Sequence, residues 1–186
     1  SGPSVNETSE FITRDLNTGR FDFFCGGITI PSRKIESERL LRKGSNGIEF
    51  FTTQVLYDSG KIKKMLKYYD EICKKNRVFP RRILLSFAPV SSKKNIDFLK
   101  WLGVEIPSLT EQHLVKKGTD ITEESLKIAT DILKDILVNN EKLGITVPIG
   151  LNVEHIMSYN FQYSINMLQE LSKIYREFCI KTTLYD

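Results

Sequence analysis

Gln54 is the residue whose type and position offer the clearest chemistry. It lies near the end of the run 47–58 (GIEFFTTQVLYD), which is rich in aromatic and β-branched residues. The run is entered through Asn46-Gly47 and left through Asp58-Ser59-Gly60, so it predicts a strand bounded by turns. Ligands gather at the carboxyl ends of strands in barrel-type α/β folds. A carboxamide at this place either contacts a ligand or is satisfied by the neighbouring backbone.

Two glycines form the second chemical signal. Gly26 and Gly27 interrupt the first strand candidate, 21–30 (FDFFCGGITI). Glycine weakens a strand, so a pair of them marks a bulge or a place where another group approaches the backbone closely. That group is either a flat ligand or a neighbouring helix.

Composition excludes several classes of protein. The 186 residues fit one domain, 1–186, with 40% hydrophobic and 27% charged residues. The net charge of +4 comes from lysines interspersed with glutamates, which is typical of a solvated surface and does not indicate nucleic acid. We find no apolar run long enough for a membrane span and no export signal, so we expect a cytoplasmic protein.

Cysteine and histidine are too sparse for a metal or disulfide framework. Cys25, Cys73 and Cys179 are far apart, and His113 and His155 are the only histidines. We therefore expect no metal site and a reducing compartment. His155, beside the last predicted strand, is the histidine to watch.

The elements that position these residues alternate between strand and helix. Apolar side chains on both faces of the Gln54 strand are typical of a strand covered on both sides. Helical spacing recurs between the strands, as at Ile62, Met65, Leu66 and Tyr69. The predicted strands are 21–30, 47–58, 81–90 and 147–153; the predicted helices are 5–16, 36–45, 61–75, 92–102, 109–116, 122–143 and 155–179.

This order predicts a parallel α/β sheet with two possible architectures. One is a small open sheet. The other is half of a β8α8 (TIM) barrel, which closes with about eight strands over about 250 residues and would need a second half from elsewhere. We predict the second architecture, with this chain supplying about four strand-helix units.

That preference follows from a resemblance to a known family. The segments FDFFCGGITIP, ERLLRK through GIEFFTTQVLYD, FAPV followed by FLKWLGVEIP, the long helix and IGLN resemble the C-terminal half of a methylenetetrahydrofolate reductase. The resemblance extends from about Phe21 to Met157. It implies a β8α8 barrel in which NAD(P)H reduces FAD, and the flavin then reduces 5,10-methylenetetrahydrofolate to 5-methyltetrahydrofolate, a step of one-carbon metabolism and methionine biosynthesis.

The resemblance also implies site residues. Gln54 falls on the glutamine that hydrogen-bonds the pterin ring, for which a neutral donor and acceptor is well suited. Phe98 falls on the aromatic residue that covers the folate. Both are predicted to be catalytic-site residues. Glu36 and Lys43 fall on contacts to the ribityl and phosphate region of the flavin, and Gly26-Gly27 would admit its ring.

Several positions depart from the family pattern. The turn Pro31-Ser32-Arg33-Lys34 lacks the usual Pro-Glu and His, and Val153 stands where an arginine helps to hold the folate. Lys94 replaces a glutamine and could meet an anionic tail. The carboxylates of the family's first half would precede Ser1, which leaves Gln54 and Phe98 without an acid partner.

Three functions follow as hypotheses. The first is a flavin-dependent oxidoreductase acting on folate, working as a homo-oligomer or paired with a missing N-terminal half-barrel. The second is a non-catalytic half-barrel relative that binds folate, flavin or a barrel partner. The third is an unrelated enzyme that binds phosphate at a helix N-terminus. Against it, the sequence contains neither GxGxxG nor GxxxxGK[ST].

Overall fold

The computed structural model describes Thr13 and residues 23–184. The helix predicted over 5–16 and the first two residues of the strand predicted over 21–30 lie outside the described residues, apart from Thr13. The described elements are β1 (Gly26–Thr29), α1 (Glu36–Ser45), β2 (Phe50–Thr53), α2 (Gly60–Asn76), β3 (Arg82–Phe87), α3 (Lys93–Trp101), α4 (Ser108–Leu114), α5 (Ile121–Leu143), β4 (Ile149–Val153), a 3-10 turn (Ser158–Asn160) and α6 (Phe161–Leu184).

The four strands form one parallel sheet in the order β1-β2-β3-β4. Each strand therefore pairs with its neighbours in sequence. One row across the sheet joins Ile28 to Thr52, Thr52 to Leu84 and Leu84 to Gly150. The next row towards the carboxyl ends contains the pair Ser86 and Asn152. Gln54, two residues after Thr52, lies on this same face because side chains alternate along a strand.

The large helices pack against the other face of the sheet. Right-handed crossovers between strands in sequential order place their helices on one side. Phe51, Ile83 and Leu85 are fully buried against α1, α2, α5 and α6 in one apolar core. On the opposite face Ile28 is 66% exposed and Leu84 is half-buried. The core therefore lies between one face of the sheet and one layer of helices.

The barrel prediction is wrong, whereas the α/β class is correct. Within residues 23–184 the sheet has four strands, and β1 and β4 are its two edges. A closed barrel has no edges. The prediction failed because the alternation of strands and helices is common to barrels and open sheets, and closure depends on which strands pair at long range.

A second, smaller core covers the carboxyl ends of β2 and β3. The run 47–58 was predicted as strand throughout, but β2 ends at Thr53, and Val55 and Tyr57 enter this second core. They pack there with Ile96 and Leu99 of α3, and with Leu114 of α4. The helices α3 and α4 thus form a small lobe at the edge of the sheet where ligands of parallel sheets bind.

Helix α5 begins at Ile121, one residue before the predicted start at 122, and ends at 143 as predicted. The Asp120 carboxylate caps its start and accepts hydrogen bonds from the backbone N–H groups of Thr122 and Glu123, at 2.8 and 3.3 Å. Gly144 follows its last residue in the left-handed conformation, with φ 59°. A distinct residue therefore marks each end of the 23-residue helix: Asp120 accepts hydrogen bonds from its first N–H groups, and Gly144 turns the chain out of the helix.

Candidate functional site

A cavity lies at the carboxyl ends of β1 and β2. Its volume is about 680 Å³, within the range of ligand sites. Its walls come from the turn after β1, the segment after β2, the first turn of α2 and the connector between α3 and α4. The lining residues are Pro31, Ser32, Gln54, Val55, Leu56, Tyr57, Asp58, Lys61, Lys100, Gly103, Val104, Glu105, Ile106, Pro107 and Ser108.

Gln54 joins the sheet to the connector. Its Nε2 donates a hydrogen bond to the Gly103 carbonyl at 2.9 Å. Gly103 has φ 83°, a conformation that favours glycine, so the backbone can turn here and present its carbonyl to Gln54. Among the described residues the Gln54 Oε1 has no hydrogen-bond donor. The carboxamide is therefore oriented by the protein and keeps an acceptor for a ligand.

The floor of the cavity is apolar and buried. Val55 and Leu56 are buried, and the buried Tyr57 phenol donates to the Ala88 carbonyl at 3.2 Å. Burial raises the pKa of Tyr57 far above its usual range, so this phenol stays protonated and acts as a structural donor. An apolar floor with one oriented carboxamide favours a flat ligand that has a hydrogen-bonding edge.

An ion pair closes one side of the cavity. Lys61, in the first turn of α2, pairs with Glu105 of the connector. The hydrogen bond from Lys61, followed by one from Ser32, lowers the pKa of Glu105. Three chain segments that surround the cavity are thus connected through one carboxylate. Both charged side chains are more than half exposed, so the contact is held weakly and can open.

A second lysine lies at the rim. The Lys100 Nζ donates to both carboxylate oxygens of Glu111 on α4, at 3.2 and 3.0 Å. Sequence reasoning assigned no role to Lys61, Lys100 or Glu105. Their partners are distant in sequence or lie on another helix, and no local pattern indicates such a pairing.

Phe98 lies on α3 and is not one of the residues that line this cavity. It is 36% exposed, and its ring stacks on Trp101 with centroids 5.7 Å apart and an interplanar angle of 24°. Lys94, one turn earlier on the helix, is exposed. Gln54 and Phe98 are thus near the same connector but do not face one common space.

The glycine pair is explained by packing within the sheet. A Cβ on Gly26 would come within 2.4 Å of the Phe50 ring, and one on Gly27 within 3.1–3.2 Å of Ile48 and Phe51. Phe50 in turn stacks on Phe24. The sequence left open a flat ligand or a neighbouring helix; in the structure the groups against both glycines are side chains of the adjacent strand β2 and of Ile48, which precedes it.

Glu36 and Lys43 both bind the end of β1 from α1. The Glu36 Oε1 accepts hydrogen bonds from the Thr29 hydroxyl at 3.0 Å and from the Ile30 N–H at 3.1 Å. The Lys43 Nζ donates to the Ile28 carbonyl at 2.9 Å. Both residues are buried, although their charges were predicted to contact a ligand. They serve at least to attach α1 to the sheet.

His155 lies after β4, as predicted. Its Nδ1 is 3.3 Å from the Ser164 hydroxyl, and its ring contacts Phe161 edge-on. Nowhere in the described residues do three His, Cys, Asp or Glu side chains come together in a way that could hold a metal. None of the described helices is long and apolar enough to cross a membrane.

Comparison with solved structures shows that the fold of this chain is similar to that of a folate-binding protein. No known family and no curated protein matches the sequence. Among solved structures, the chain is similar to an uncharacterised protein from Clostridium thermocellum that binds two copies of 5-methyl-5,6,7,8-tetrahydrofolic acid. The TM-score is 0.78 and the identity 26%, over 89% of this chain and 59% of that one.

The chain therefore spans less than two thirds of the length of the structure it matches. The likeness supports the folate part of the resemblance noted in the sequence. It does not show the reductase family itself.

Proposed function

We propose that this chain binds a reduced folate, of the kind represented by 5-methyltetrahydrofolate, in the cavity beside Gln54. The observation that supports this most strongly is the likeness to a protein that binds this compound. The cavity agrees with it in position, because ligands of parallel α/β sheets bind at the carboxyl ends of the strands. Its volume also agrees with a small organic ligand.

Gln54 is the residue that we expect to recognise the pterin. The hydrogen bond to Gly103 fixes the carboxamide so that Oε1 can accept from a ring N–H. The apolar floor formed by Val55 and Leu56 would cover one side of the ring. Lys61 and Lys100 at the rim could exchange a protein carboxylate for one of the ligand, since both lysine side chains are exposed.

The experiment is a titration with 5-methyltetrahydrofolate under reducing conditions, with the heat of binding measured by calorimetry. We expect saturable binding that is weakened roughly tenfold or more by Gln54→Ala, because the ring loses one hydrogen-bond partner. Gln162→Ala is the matched control, since Gln162 is exposed on α6 and bonds only to Asn166 among the described residues. Equal affinity in the wild type and Gln54→Ala would contradict the proposed role of this residue, and absence of binding would contradict the function.

Reduction of 5,10-methylenetetrahydrofolate with NAD(P)H through FAD is a separate and finer proposal. It derives from the family resemblance, and a bound flavin would supply the hydride. The residues assigned to the flavin do not fit it as a group: Gly26 and Gly27 pack against protein side chains, and Lys43 donates to β1. Spectroscopic titration with FAD tests this proposal, and no saturable change in the flavin spectrum would contradict it.

A further inference from the structure

A second cavity, of about 430 Å³, adjoins the first. The two share Pro31, Ser32 and Lys61 as a common wall. The second cavity lies between the turn after β1, the start of α1 and the first half of α2. Its other lining residues are Arg33, Ile35, Glu36, Ser37, Glu38, Lys64, Met65 and Tyr68.

Glu36 brings an unused acceptor to this cavity. The residue is 3% exposed, and its Oε1 accepts the two hydrogen bonds from β1. Its Oε2 is buried and accepts none. The Arg39 Nε lies 3.5 Å from Oε2 and balances the charge, but it donates no hydrogen bond there. A buried carboxylate oxygen without a donor is costly, so a donor from a ligand would stabilise it.

Glu38 is a second acidic residue that lines this cavity. Its Oε2 is also buried without a hydrogen-bond partner. A hydrogen bond with Glu38 raises the pKa of Tyr68, whose half-exposed ring forms part of the wall. Two residues that line the cavity therefore each hold a buried carboxylate oxygen without a hydrogen-bond partner.

Basic residues also line this cavity. Arg33 and Lys64 are exposed lining residues, and no ion pair to either is found among the described residues. Lys61 belongs to both cavities and pairs with Glu105. A ligand that fits this lining carries both N–H donors and an anion.

The backbone is strained at Ile35, one of the residues that line this cavity. Ile35, the residue that precedes α1, has φ 53° and ψ 25°, which is rare for a β-branched side chain. This conformation directs the chain so that Glu36 begins the helix inside the protein. The hydrogen bonds that the Glu36 Oε1 accepts offset part of the cost of this strain. The Glu36 Oε2 accepts no hydrogen bond and offsets none of it.

We infer that the second cavity binds a second molecule of the same class as the first, a reduced pterin carrying a carboxylate tail. This inference depends on the proposed function for the nature of the ligand. The 2-amino-4-oxo half of a pterin presents N–H donors, for which the carboxylates of Glu36 and Glu38 are suitable acceptors. Its tail carboxylates match Arg33 and Lys64. The similar structure binds two copies of such a molecule.

The stoichiometry of binding tests the inference. Calorimetric titration of the full chain with 5-methyltetrahydrofolate should give two molecules bound per chain. Glu36→Gln should weaken one of them roughly tenfold or more, since a charged acceptor is lost, and leave the other unchanged. Gln54→Ala should weaken the other molecule only. Glu141→Gln is the matched control, because Glu141 is an exposed residue of α5 and lines neither cavity.

Failure of the inference can be distinguished from failure of the function. One molecule per chain, lost in Gln54→Ala and kept in Glu36→Gln, would overturn the second site and leave the first. No binding at all would overturn both. Binding of FAD that depends on Glu36, in a wild-type protein that takes one folate, would assign the cavity to another ligand and overturn the inference.

A second variant keeps the test valid if Glu36→Gln fails to fold. In Arg33→Ala/Lys64→Ala both changes are on exposed side chains, so the fold should be retained. We expect the second molecule to bind more weakly in this variant and to lose the salt dependence that it shows in the wild type. Unchanged affinity and salt dependence would overturn the inference.

Discussion

Individual buried polar residues in this protein are used to attach one element to another. Asp70 of α2 is the clearest case. It is 4% exposed and accepts hydrogen bonds from the Thr146 N–H at 2.9 Å and the Thr146 hydroxyl at 2.6 Å, while Lys74 pairs with it at 2.5 Å. Burial would raise the pKa of Asp70, but these hydrogen bonds outweigh it and hold the pKa below its usual value.

Asp70→Asn should therefore lower stability by about 1–3 kcal/mol at pH 7, the cost of weakening a charged, buried acceptor. The depressed pKa of Asp70 means that its stabilising effect is complete above pH 4 and is lost as the pH falls through the folded-state value. Urea unfolding at several pH values checks this. The variant should lose stability less steeply below pH 4 than the wild type, and parallel curves would contradict the assignment.

At the scale of elements, α5 is the longest crossover helix described, and its ends are specified separately. Asp120 satisfies two N–H groups at the start, and Gly144 adopts the left-handed conformation at the end. Its apolar stripe, including Ala129, Ile132 and Leu133, packs into the main core. The helix therefore joins the small lobe at the carboxyl edge to β4.

Asp120→Ala should destabilise the protein by about 0.5–2 kcal/mol, because two backbone donors lose their acceptor. Asp131→Ala is the control, since Asp131 is exposed in the middle of the same helix. Thermal unfolding followed by circular dichroism would measure both. A similar loss in the two variants would mean that the cap contributes nothing beyond removal of a charge.

The sequence predicted the elements better than their ends. Helical spacing at Ile62, Met65 and Leu66 was sufficient to predict α2, because these side chains meet one core. The strand predicted over 47–58 was too long, because Val55 and Tyr57 belong to a second core beyond the end of β2. A local pattern of apolar residues cannot distinguish this second core from a continued strand. The same limit applies to the site: Gln54 was found from its position after a strand, but the lysine-glutamate contact across the cavity was not.

Across the whole molecule, the sheet is covered on one face by the described helices. Leu85 is fully buried in that core, whereas its neighbour Leu84 points to the opposite face and is half-buried. A closed barrel packs residues of both faces. The stability lost on truncating each of these two leucines therefore shows whether one face or both faces of the sheet are covered.

Leu85→Ala should lower stability by about 2–5 kcal/mol. Leu84→Ala should lower it much less, because the half-buried Leu84 side chain buries less apolar surface against the protein. The two variants control for each other, since they differ only in the face of the strand. Chemical denaturation would measure both. Equal, large losses would show that the second face is covered as well and would contradict the architecture described above.

The sequential strand order also has a consequence for how the chain folds. Pairing β1 with β2 and β2 with β3 requires closure of short crossovers, each containing a single helix. Pairing β3 with β4 requires closure of a crossover that contains three helices, and loop-closure entropy grows with length. We therefore expect β4 to join the sheet last, with the first three strands and α2 forming an early folding nucleus during synthesis.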